Sequence, residues 1–132
     1  MKKEGLLHPE LNKLIASSGH TDEIVVTDAG LPIPPDLPYH IDFALKEGQL
    51  AFLDVLDGVT ESFSVEKIIL AEEIKQASPE MEKQILERFP GVETTYIPHD
   101  SFKKRTQSAM GTVRSGEFTP YANVILCGGV VY

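Results

Sequence analysis

Apolar positions near the start of the chain follow a helical repeat: Leu7, Leu11, Leu14 and Ile15 recur at spacings of 4, 3 and 1 and share one face. Pro9 suits the first turn and Gly19 a left-handed cap, so the spacing predicts a helix over 9–18, with His20 in the turn beyond its end. The period then changes. Residues 24–27 are β-branched, so 23–27 predicts a buried strand, ended by Asp28-Ala29-Gly30. Pro32, Pro34, Pro35 and Pro38 fix φ and remove ladder donors, so 31–38 reads as a stiff, extended loop. A short strand over 39–44, a helix carrying Leu50, Phe52, Leu53, Leu56 and Val59, and an apolar strand over 65–71 follow. Ser78 as cap, Pro79 at the first helical position and Glu80 and Glu82 in the first turn open a third helix, which ends near Phe89-Pro90-Gly91. A strand over 92–97, a short helix over 99–108 and strands over 110–114 and 123–131 complete the pattern.

Strands that alternate with helices predict an α/β layer fold, with helices packed on a central sheet and one domain over residues 1–132. There is no internal repeat, low-complexity tract or linker. The last nine residues, 124–132, are apolar almost to the end, which predicts a central strand, a subunit interface, or both.

Composition narrows the function. A net charge of −8 repels phosphate backbones and anionic membranes, and the densest basic run is only Lys103-Lys104-Arg105. Apolar residues at 42% supply a core, which excludes a disordered chain. The single cysteine, Cys127, has no internal partner and fits a reducing compartment; inside an apolar run it reads as a core thiol. Glu4, His8, Pro9 and Glu10 break up any signal-like apolar stretch, and no run approaches the ~20 residues of a membrane span, so a cytoplasmic location is expected.

Three polar clusters stand at predicted element ends. In the first, His20-Thr21-Asp22 precedes a strand and Asp28 closes it; a strand of that length spans roughly 17 Å, so His20 and Asp28 reach one small ligand only if the turn folds back or one comes from another subunit. The alternative is a helix-end cation and a turn-former. In the second, His99 and Lys103 lie one helical turn apart, as ligand-binding groups or as a solvated helix start capped by Asp100. The third, Gly116-Glu117-Phe118-Thr119-Pro120-Tyr121-Ala122-Asn123, crowds polar and aromatic groups into one loop, suited to a small molecule or to a decorated turn. His20 with Asp22, or His40 with Asp42, supplies too few ligands for zinc, and no Gly-x-Gly-x-x-Gly, Walker or Gly-x-Ser-x-Gly pattern occurs. Glu72-Glu73 and the Glu80, Glu82 and Glu87 set read as solvated helix faces.

Four stretches together resemble the ribose pyranase and fucose mutarotase superfamily: Ser18-Gly19-His20-Thr21-Asp22, Asp28-Ala29-Gly30-Leu31-Pro32, Ala71-Glu72-Glu73-Ile74-Lys75 and the loop from Gly116 to Asn123. The resemblance runs from Met1 to Tyr132 and is weakest over 34–38. It implies His20 as the catalytic proton donor and Asp28, His99, Tyr121, Ala122 and Asn123 as sugar-binding residues, with Lys103 a further contact. It also implies cofactor-free interconversion of the β-pyranose and β-furanose forms of D-ribose, in support of ribose use. The implied assembly is a cyclic homo-oligomer, a decamer of two stacked pentamers with pockets between subunits. The competing expectations are a non-catalytic sugar-binding or regulatory module of a ribose uptake system, and a fucose-type mutarotase.

Overall fold

The computed structural model describes residues 1–132. Its elements run α1 (Pro9–Ser17), β1 (Glu23–Thr27), β2 (Tyr39–Asp42), α2 (Phe52–Thr60), β3 (Val65–Ala71), α3 (Ile74–Ala77), α4 (Pro79–Glu87), β4 (Glu93–Ile97), α5 (His99–Thr106), β5 (Gly111–Arg114) and β6 (Val124–Gly128). The six strands form one mixed sheet in the order β2-β5-β1-β6-β3-β4. β6 runs antiparallel to both its neighbours, β1 and β3, while the other pairs are parallel. The carboxyl ends of β1 to β5 and the amino end of β6 therefore share one edge of the sheet.

Both faces of the central strands are covered, which is why β1, β6 and the second half of β3 read as continuous apolar runs. Ile24, Val26, Ile68, Leu70, Val124 and Leu126 point into a core shared with Leu11 and Leu14 of α1, Phe52, Val55, Leu56 and Val59 of α2, and Ile85 of α4. Val25, Ile69, Ala71, Ile125 and Cys127 face the other way, onto Leu31, Phe102 of α5 and Ala109. Fully burying each of the larger side chains contributes roughly 1.5–3 kcal/mol.

The structure departs from the periodic reading where tertiary partners decide. β6 ends at Gly128, opposite the first residues of its neighbours, Glu23 and Val65, and beyond it Gly129 and Val130 are tied only to Ser64, through its carbonyl (2.9 Å) and its hydroxyl (3.3 Å). Val131 and Tyr132 consequently stand exposed. A single-turn helix, α3, lies between β3 and α4 where none was expected. Ser78 precedes α4 without capping it by its side chain; its hydroxyl donates to Pro120 O (2.7 Å) and fastens the 116–123 loop to the helical layer. Asp100 is inside α5 rather than its cap, which is Pro98.

Candidate functional site

Asp28 follows β1 and Asn123 precedes β6, and the antiparallel β1–β6 pairing brings the two side by side. The Asp28 N–H donates to Asn123 Oδ1 (2.8 Å), and Asn123 Nδ2 donates to Asp28 Oδ2 (3.1 Å). Asp28 Oδ1 takes the backbone N–H groups of Gly30 (3.0 Å) and Leu31 (2.8 Å). An ionised carboxylate offers about four acceptor positions. Three are taken, the orientation is fixed, and the remaining capacity lies on Oδ2. Asn123 is buried, so the clamp works in a low-dielectric setting.

His99 opens α5, with only Pro98 between it and the end of β4. Its backbone N–H donates to both Glu73 oxygens, each at 3.0 Å. Its ring meets Tyr121 edge-on, centroids 5.0 Å apart, and lies near-parallel to Phe102 at 6.3 Å. Nδ1 of His99 is buried without a hydrogen-bond partner, a polar atom available to a ligand. Tyr121 takes φ of 61°, a left-handed conformation rarely adopted by an aromatic residue and often found at functional sites. The Asn123 N–H to Tyr121 O bond (2.8 Å) holds that turn. Ala122 lies in the core, so a ligand can meet only its main chain.

Around this edge lie open hollows. One of about 670 Å³ is bordered by Glu72, Glu73, Pro98 and Tyr121; one of about 430 Å³ by Asp28, Arg114 and Glu117. The largest, about 710 Å³, separates the proline-rich loop from α5 and includes Lys103. Lys103 pairs with Asp100 (3.2 Å). Sites at strand carboxyl ends are the rule for open α/β sheets, so the polar edge weighs more here than cavity size.

Glu117 belongs to the scaffold. Its Oε1 accepts the Phe52 N–H (3.0 Å), the cap that Ala51 cannot provide for α2, and its Oε2 accepts the Thr119 hydroxyl (2.8 Å). Glu73 is likewise no solvated helix face, because its carboxylate caps α5. No local pattern marks that role; it arises from the β3–β4 register, in which Ala71 lies beside Ile97.

His20 stands at the opposite end of β1, beyond its amino terminus, with Thr21 held at φ of 72° and the Thr21 N–H bonded to Gly128 O (2.9 Å). Its Nε2 is 3.1 Å from both oxygens of Glu66. Within one chain the structure brings Asp28, Asn123, His99 and Tyr121 together and leaves His20 apart. No cluster of three or more His, Cys, Asp or Glu residues is arranged to hold a metal ion.

Cys127 is buried, as the apolar run implied. Burial first, and Glu23 second, push its thiol up to about 11. At pH 8 the reactive thiolate is then about one part in a thousand. The native protein is expected to resist a thiol-specific reagent at pH 8 and to release one equivalent only on unfolding; rapid native labelling would contradict this environment.

The profile of the RbsD / FucU transport protein family matches residues 1–131. A Geobacillus kaustophilus protein named D-ribose pyranase is 48% identical over 132 residues, covering 100% of this chain and 96% of the relative. The structure of Bacillus subtilis RbsD complexed with D-ribose superposes with a TM-score of 0.95 at 45% identity, covering 100% of both chains. The Streptococcus pneumoniae fucose mutarotase in complex with L-fucose superposes with a TM-score of 0.74 at 25% identity, over 96% of this chain and 95% of the other.

Proposed function

As the chain belongs to the RbsD / FucU transport protein family, we propose that it is a cofactor-independent isomerase that interconverts the β-pyranose and β-furanose forms of D-ribose. The observation that carries this reading is the pre-formed polar edge of Asp28, Asn123, His99 and Tyr121 in a chain that matches a ribose-bound relative along its whole length. Residues 1–132 act as one domain.

Asp28 and the main chain at Ala122 bind sugar hydroxyls, Asn123 holds Asp28 in place and gives its remaining amide hydrogen to the sugar, His99 offers Nδ1, and Tyr121 supplies an apolar wall with a phenol tip. His20 acts as the proton donor. Ring opening breaks the C1–O5 bond; its electron pair goes to O5, which takes a proton from the His20 imidazolium, while the anomeric hydroxyl loses its proton to solvent and C1 becomes the aldehyde. Rotation about the chain brings the C4 hydroxyl to C1. Its oxygen attacks, His20 recovers the proton it releases, and the carbonyl oxygen takes one from solvent. The cycle consumes no net proton and no oxidant.

His20 lies too far from Asp28 to act in the same chain, so the site is completed by a neighbouring copy. The cyclic decamer of two pentamers supplies such neighbours, and the exposed Val131 and Tyr132, with Leu45, Leu50 and Phe118, are apolar surface for those contacts. The single high-pKa thiol suits a cytoplasmic protein. No helix is long and apolar enough to cross a membrane.

The test is NMR saturation transfer on equilibrated D-ribose, with and without protein. Enhanced transfer between the β-pyranose and β-furanose anomeric signals is expected. Enhancement confined to α and β anomers makes it a mutarotase, and binding without any enhancement makes it a sugar-binding module.

A further inference from the structure

Glu66 occupies an irregular point in the sheet. β3 pairs with β6 through Val65 with Gly128 and Lys67 with Cys127, so two steps along β3 match one along β6 and Glu66 is the extra residue. A bulge of this kind re-aims a side chain out of the regular alternation. Glu66 here reaches past the end of β6 to His20, with both carboxylate oxygens 3.1 Å from Nε2. On the other side, the positive φ of Thr21 and its bond to Gly128 O fix the turn that carries His20. Two local irregularities, one on each partner, converge on a single hydrogen-bonded pair.

The surrounding charges leave Glu66 as the group that meets the imidazole. Asp22 is occupied by the Gly19 N–H (2.8 Å), and Glu23 by Arg105 (2.6 Å). Lys67 and Glu93 border the adjacent hollow of about 360 Å³. His20 and Glu66 are about half exposed, 51% and 48%. An exposed pair of this kind adds little to stability, so its consequence lies in orientation.

Resting on the reading of His20 as proton donor, we propose that Glu66 is its positioning residue: the carboxylate holds Nε2–H, and proton exchange with the sugar runs through Nδ1. An ionised carboxylate only accepts, so the shared nitrogen must carry the hydrogen, and the ring is set as the Nε2–H tautomer whenever it is neutral. Nδ1 then alternates between N–H donor and lone-pair acceptor, which is what ring opening and reclosure require.

The experiment compares wild type, Glu66→Ala, Glu66→Gln and His20→Ala in the assembled protein, by ribose exchange kinetics and by imidazole ¹⁵N NMR. The Nε2–H signature is expected for His20 in the wild type and a mixture of tautomers in Glu66→Ala. The kcat of Glu66→Ala is expected to fall at least roughly tenfold with KM within about twofold. Glu66→Gln, whose amide oxygen still accepts Nε2–H, recovers most of the rate. Full kcat in Glu66→Ala alongside an inactive His20→Ala overturns the role of Glu66 and leaves His20 standing. Full kcat in His20→Ala overturns the proton-donor reading itself. A rate loss in Glu66→Ala accompanied by a changed assembly mass overturns positioning in favour of an interface role.

Discussion

Replacing His20 with alanine is expected to lower the enhanced β-pyranose to β-furanose exchange by roughly 10²–10⁴-fold, while D-ribose affinity stays within about threefold. Positioned proton transfer is the main contribution asked of this residue. An imidazole can both donate and accept a proton in enzyme catalysis, which few side chains do. The binding groups stand elsewhere: Asp28 and Asn123 are fixed to each other at the far end of β1, and His99 is held by Glu73. His20 is half exposed and its substitution leaves no buried group unpaired. The variant should therefore fold and bind. The measurement is saturation transfer for rate and calorimetry for affinity, on the same preparation. Loss of binding in parallel with rate would make His20 a sugar ligand rather than the proton donor.

A complementation experiment separates the geometry from the chemistry. Mixed assemblies of His20→Ala and Asp28→Ala chains should regain part of the exchange rate, because some interfaces then pair an intact His20 with an intact Asp28. A site contained in one chain would regain none.

The parts of this fold that periodicity reveals are those where one physical constraint dominates. The runs 24–27 and 68–71 are buried on both faces, so β-branched and apolar residues follow one another, and the strands that hold them appear within the expected bounds. α1 shows one apolar stripe and ends before Gly19. The elements that escape are set by distant partners. Ser78 looks like a helix cap, yet Pro120 O competes for its hydroxyl. Glu73 looks solvated until the β3–β4 pairing places it against the start of α5. Strand length lets His20 and Asp28 share a ligand only if the turn folds back or another subunit intervenes. It takes the structure, with the Thr21 N–H bonded to Gly128 O at the amino end of β1, to show that the turn does not fold back. That Asp28 and Asn123 do meet follows only from the β1–β6 pairing. Glu66 carries no signal in the sequence, since the bulge that turns it toward His20 exists only once β3 is paired with β6.

Asn123→Asp is expected to be the most damaging single substitution at the binding edge. It is nearly isosteric and keeps the oxygen that accepts the Asp28 N–H at 2.8 Å. It replaces the Nδ2 donor, 3.1 Å from Asp28 Oδ2, with a second carboxylate oxygen at a buried position. Two carboxylates this close cannot both ionise without strong repulsion, so the folded variant retains a proton that the unfolded chain releases near ~4. The unfolded state then binds fewer protons than the folded one above that pH. Stability of the variant relative to wild type therefore falls as pH rises from about 4, until the shared proton is lost, and stays low beyond. A destabilisation of about 2–4 kcal/mol near neutrality is expected, shrinking toward pH 4. Ribose affinity should drop at least roughly tenfold, because Asp28 loses its fixed orientation and the sugar loses an amide donor. Denaturant unfolding at several pH values with ribose titrations checks both. A pH-independent loss would show that the substitution acts through packing, and unchanged affinity would remove the Asp28–Asn123 clamp from the sugar site.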